Sequence, residues 1–106
     1  MTTLFVTRHQ GARDWADLQN FKDAEAVEHL SAAKINALGK GDIVIGTLPV
    51  HIIAQINRRR ARYFHLEMAV PLEARGRDLS AEDMARFGAK LEEFIVTKVE
   101  PGKELP

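Results

Sequence analysis

Apolar positions along the chain switch between two spacings. Leu4, Phe5 and Val6 make a short β-branched and aromatic run between Thr3 and Thr7, closed by Arg8, His9 and Gly11, which predicts a buried strand over residues 3 to 7. From Gly11 to Asn20 the spacing lengthens, and Ala12, Trp15, Ala16 and Leu18 predict a helix anchored to the core by Trp15. A weaker strand follows at about residues 25 to 30. Ser31 then precedes Ala-Ala-Lys-Ile-Asn-Ala-Leu with Gly39 behind it, a start and a stop signal around a short helix. Asp42 to Thr47 predicts the clearest buried strand, and Leu48 to Ile56, with Pro49 in the first turn, a helix beginning there and ending in a basic run. Arg62 to Val70 reads as a strand and Pro71 to Asp78 as a loop. Ser80 with Asp83 resembles a capping box, and Met84, Phe87, Leu91 and Phe94 predict the buried stripe of a last helix, followed by a strand over residues 94 to 99.

Strands alternating with helices predict an α/β fold, a three-layer sandwich with a mostly parallel sheet, because parallel neighbours need helical crossovers that cover both faces. At 106 residues the chain accommodates one hydrophobic core, so a single domain is expected over residues 1–100, with a flexible tail at 101–106. The apolar fraction of 45% is that of a globular chain rather than a disordered one. Fifteen basic residues balance fifteen acidic ones, which leaves no overall field to draw the molecule to duplex DNA or an anionic membrane. Any anion site must therefore be a local cluster. The absence of cysteine removes disulfides, thiolate metal sites and a thiol nucleophile, and no segment has the apolar length of a membrane span. A soluble cytoplasmic protein is the expectation.

In a parallel sheet, ligands bind beyond the carboxyl ends of the strands. Two polar clusters are expected there: Thr7-Arg8-His9 after the first strand, and Gly46-Thr47-Leu48-Pro49-Val50-His51 after the central one. A helix starting at Thr47 would aim free amides at an anion and place Thr47 and His51 on one face, although a simple cap and a solvated histidine read equally well. Arg8 pairs a permanent cation with the proton-transfer group of His9. Arg75-Gly76-Arg77 offers two forked donors on a loop able to fold over an anion. Arg58, Arg59, Arg60 and Arg62 fit the carboxyl end of a helix, where cations offset its dipole. His65 and Glu67 alternate with apolar neighbours and read as a polar pair on one strand face, and His29 as a surface residue. No histidine spacing calls for a metal, and no cofactor is expected. The Arg-His pair is similar to the Arg-His-Gly motif of histidine phosphatases, but Gln10 separates His9 from Gly11, the chain is short for that fold and no second motif matches.

Taken together, Phe5-Val6-Thr7-Arg8-His9 with Gly11-Ala12 and Trp15, Gly41-Asp42, Val44-Ile45-Gly46-Thr47-Leu48-Pro49-Val50-His51, Ala61-Arg62-Tyr63 with His65-Leu66, and Arg75-Gly76-Arg77 before Leu79-Ser80 resemble the small Csx-sixteen family of CRISPR-associated proteins found beside type III systems. The resemblance spans residue 4 to about 95. It implies a Rossmann-like fold related to CARF sensor domains and a ring nuclease activity on cyclic tetra-adenylate, whose cleavage to linear di-adenylate switches off type III signalling. On that resemblance Arg8 would hold a phosphate and His9 transfer a proton, with His51 an alternative. Thr7, Gly46, Thr47 and the Leu48 amide would line the ligand site, and Arg75 and Arg77 would close over it. A homodimer would present paired sites to a four-fold ring. The competing expectation is a binding module that sequesters the cyclic nucleotide without cleaving it.

Overall fold

The computed structural model describes residues 1–19, 21 and 23–100; the tail expected at 101–106 lies outside the described residues. In chain order the elements are β1 (Thr3–Val6), α1 (Gln10–Leu18), β2 (Glu25–Val27), α2 (Ala32–Asn36), β3 (Ile43–Gly46), α3 (Val50–Arg58), β4 (Arg62–Glu67), a 3-10 turn (Leu72–Ala74), α4 (Ala81–Arg86) and β5 (Lys90–Phe94). The five strands form one sheet in the order β2-β1-β3-β4-β5. The first four are mutually parallel, with Phe5 opposite Ile45 and Ile45 opposite Phe64, while β5 runs antiparallel to β4. This is the mixed α/β, mostly parallel sandwich that the alternation of strand and helix predicted.

Strand periodicity divides the core between the two faces of the sheet. Leu4, Val44 and Tyr63 point to one face, where α2 and α3 supply Ile35, Ile53 and Ile56. Phe5, Ile45 and Leu66 point to the other, where α1 and α4 supply Ala12, Trp15, Ala16 and Met84. Side chains on successive strand residues alternate between faces, so each apolar run serves both layers. On the second face α1 and α4 approach so closely that a Cβ on Gly11 would overlap the Leu79 carbonyl oxygen, which is why the first turn of α1 carries a glycine.

Two expectations need correction. The helix after β3 begins at Val50, not at Thr47, with extended Pro49 (φ −63°, ψ 151°) as its N-cap. The pyrrolidine ring disfavours helical geometry at the preceding residue, so Leu48 and Thr47 stay in the connecting turn, and Thr47 and His51 do not share a helix face. The last helix is also shorter than its apolar stripe suggested. Its capping box forms, with the Ser80 side chain accepting from the Asp83 amide at 3.1 Å, but the helix ends at Arg86 and Gly88 takes φ 74°. That left-handed glycine turns the chain back, as C-terminal glycines do. Leu91 and Phe94 therefore belong to β5, where Leu91 faces Leu66 and Phe94 faces Tyr63. Of the expected stripe only Met84 is buried. Residues 95–99 form no strand; the Val96 amide is instead tied to Asn57 Oδ1 at 2.8 Å.

Candidate functional site

β1 connects to α1 on one face of the sheet and β3 to α3 on the other, and the two strands are neighbours. Crossovers leaving adjacent parallel strands for opposite faces open a crevice between their carboxyl ends, the usual ligand position in such sheets. Thr7-Arg8-His9 and Gly46-Thr47-Leu48 are the residues that line this crevice.

The β1 loop is held by β2 and by the Thr7 side chain. The Thr7 amide donates to the Val27 carbonyl at 2.8 Å, and Thr7 Oγ1 accepts from the His9 amide at 3.1 Å. His9 is the N-cap of α1 but makes no side-chain cap bond, and its side chain is 65% exposed. Its Nδ1 lies 3.6 Å from Asp78 Oδ1, an ion-pair separation that is too long for a hydrogen bond. Among the described residues no hydrogen bond or ion pair engages the Arg8 guanidinium, so this exposed cation is available to an anion.

The crevice has two lobes that share Val6, Thr7, His9 and Thr47. One is an apolar cavity of about 230 Å³ running under the β1 loop, with Phe5, Leu66, Met68, Leu79 and Met84 in its walls and Arg77 at its edge. The other is an open groove of about 470 Å³ lined by Arg8, His9, Glu28, His29, Thr47, Leu48 and Pro49. An apolar chamber beside a polar groove that holds Arg8, Glu28 and two histidines suits a ligand with a flat apolar part joined to an anion.

Arg77 Nη1 reaches Asp83 Oδ2 at 3.5 Å, which fixes the loop 75–79 against the start of α4. Hydrogen bonds from the Ser80 amide and side chain, then the nearby Arg77 and Arg86 charges, hold the Asp83 carboxyl below its ordinary range. Arg75 donates to the Val70 carbonyl at 3.4 Å and lines neither lobe. The Arg75-Gly76-Arg77 pair is thus divided, with Arg77 alone at the crevice.

Two further placements change the expected roles. The Leu48 amide does not face the crevice: it donates to the Tyr63 hydroxyl at 2.9 Å. His51 lies in a different groove with Asn36, Arg58, Arg59 and Lys98, because a helix starting at Val50 turns it toward α2. In its place the β2–α2 connection brings Glu28 and His29 beside Arg8 and His9. The sequence carries no local signal for that, since His29 follows a strand of only three residues and its place depends on β2 pairing with β1. His65 joins Tyr63 rather than Glu67, with Nδ1 2.7 Å from the phenol oxygen.

Among the described residues no three His, Cys, Asp or Glu side chains converge as metal ligands, and no helix is long and apolar enough to cross a membrane. Neither the curated proteins nor the solved structures contain a match to the chain. A family comparison does match, over residues 4–97, and it takes in both strand-end loops and the crevice. The chain belongs to this family of CRISPR-associated proteins, described as "Putative CRISPR-associated protein (Cas_VVA1548)".

Proposed function

We propose that the chain is a type III ring nuclease of the Csx-sixteen kind, cleaving cyclic tetra-adenylate in the crevice at the ends of β1 and β3. The observation that carries this reading is the joining of an apolar cavity to a groove holding an unpaired Arg8 and two histidines, His9 and His29, in a CRISPR-associated chain. Adenine would seat against Met68, Leu66 and Phe5, since thioethers and aromatic rings make good apolar walls for a flat base. A phosphodiester would lie at Arg8, within reach of Thr7 and Thr47.

The chemistry is an in-line transfer within the substrate. The ribose 2′-hydroxyl attacks the adjacent phosphorus and loses its proton to a histidine, while the bond from phosphorus to the 5′-oxygen breaks and that oxygen takes up a proton. Two such cuts give linear di-adenylate bearing cyclic phosphate ends. His9 takes the proton-transfer role, and His29, from the same groove, acts as its partner. Arg8 offsets the negative charge that grows on the phosphorane. Two copies related by a two-fold axis would each take one half of the ring.

Incubating the protein with labelled cyclic tetra-adenylate, with and without a chelator, and separating the products by chromatography tests this. Linear di-adenylate is expected, together with a dimer by light scattering. Intact ring retained at stoichiometric protein indicates a sequestering module instead. Phosphate release from monoesters with the ring untouched indicates a phosphatase.

A further inference from the structure

Tyr63 is fully buried near the start of β4, yet its hydroxyl makes three contacts behind the turn that lines the crevice. It lies 2.9 Å from the Gly46 carbonyl, 2.9 Å from the Leu48 amide nitrogen and 2.7 Å from His65 Nδ1. Gly46 and Leu48 flank Thr47, so one phenol oxygen grips the backbone on both sides of the exposed residue that lines both lobes.

The proton inventory of a phenol settles the third partner. A tyrosine hydroxyl has one proton to give and two lone pairs to receive. The Gly46 carbonyl can only accept, so it takes the hydroxyl proton. The Leu48 amide can only donate, so it occupies one lone pair. The arrangement closes only if His65 also donates, which places its proton on Nδ1 and leaves Nε2 unprotonated in the neutral ring.

We infer that Tyr63 and His65 are positioning residues for Thr47: His65, as the Nδ1–H tautomer, orients the Tyr63 hydroxyl, which clamps the Gly46-Thr47-Leu48 turn in its ligand-facing shape. The functional half of this inference rests on the crevice being the ligand site proposed above; the clamp itself does not. Because Thr47 has no helix to hold it, the phenol supplies the rigidity that regular structure gives elsewhere.

Nitrogen-15 spectra of the histidine rings, taken where His65 is neutral, read the tautomer directly, and the Nδ1–H form is expected. In Tyr63→Phe, the Leu48 amide should exchange with solvent at least about tenfold faster while Val44 and Ile45 in β3 keep their protection, a pattern that general destabilisation does not give. His65→Asn retains a donor near the Nδ1 position and should keep both Leu48 protection and turnover of cyclic tetra-adenylate; His65→Leu should lose both. An Nε2–H tautomer in the wild type overturns the inference, and so does equal Leu48 exchange in Tyr63→Phe or equal behaviour of the Asn and Leu variants. If Tyr63→Phe does not fold, the wild-type tautomer and the His65 pair decide. A wild type that shows the tautomer and the protected amide but leaves cyclic tetra-adenylate intact defeats the ring nuclease reading and leaves the clamp standing.

Discussion

Four ionisable side chains line the groove, Arg8, His9, Glu28 and His29, and the surroundings of Arg8 and His9 separate their roles. Arg8 has no partner among the described residues, whereas His9 has Asp78 at 3.6 Å. Replacing Arg8 by lysine keeps the charge but removes the fork that grips two phosphate oxygens, so it is not a neutral exchange. Arg8→Ala and His9→Ala should each reduce turnover of cyclic tetra-adenylate by about 100-fold or more, the usual scale for losing one acid–base or electrostatic group. His29→Ala should fall in the same range, while His51→Ala, in its separate groove, should stay near wild type. All four positions are exposed, so thermal midpoints should barely move. Steady-state kinetics beside thermal melts check this, and a His29→Ala enzyme with full activity would remove that residue from the chemistry. The sequence pointed to Arg8 and His9 through their place after an apolar run. It was silent on His29, whose neighbours come from another strand.

The elements reach their positions through a few close approaches. The first turn of α1 lies against the chain entering α4, and Gly11 is the only residue type that fits there. Gly11→Ala should cost about 3 kcal/mol, the upper part of the overpacking range, because the obstacle is the Leu79 backbone and not a side chain that can swing away. A lowered urea midpoint with an unchanged slope would report it. The same contact places Leu79 in the wall of the apolar lobe, so the variant should also weaken ligand binding. At the other end of α4, Gly88 shows why an apolar stripe misleads: Met84, Phe87 and Leu91 fit a helical period, but a residue at φ 74° breaks it. β5 then completes the outer edge of β4, secured by paired 2.8 Å hydrogen bonds from Arg62 to Glu93. An Arg-Phe-Gly-Ala stretch read as a stop would have found that turn, whereas a period count alone runs through it.

For the molecule as a whole, one carboxylate ties the start of the chain to the middle of the sheet. Asp42 accepts from the Thr2 amide at 2.9 Å and from the Gly39 amide at 3.0 Å, and these bonds hold its carboxyl below the ordinary value of 3.8. A depressed carboxylate contributes stability above its unfolded value, and that contribution is lost as pH falls through the lower folded value. Asp83 and Glu93 are depressed in the same direction, by Ser80 and by Arg62 respectively. Stability should therefore be level at neutral pH and decline as pH falls past the ordinary carboxylate values, 4.5 for Glu93 and 3.8 for Asp42 and Asp83. Asp42→Asn should be less stable at neutral pH and show a shallower acid decline, though not a flat one, since Asp83 and Glu93 still titrate. Denaturant midpoints at neutral and acid pH measure both quantities, and an unchanged acid slope would dismiss the Asp42 contribution.

By itself the sequence determined the class of fold, the buried strands and the two loops that meet at the crevice, because apolar period and helix punctuation act over a few residues and need no partner. It also determined the capping box at Ser80, whose donors and acceptors lie within one turn. Tertiary structure decided what depends on pairing between distant segments. It set β5 antiparallel at the edge, turned the Leu48 amide inward to Tyr63, moved His51 into another groove and brought His29 to His9. Local spacing fixes which face of an element a side chain takes; which neighbour it meets there is set only when the sheet orders its strands and the core closes over them.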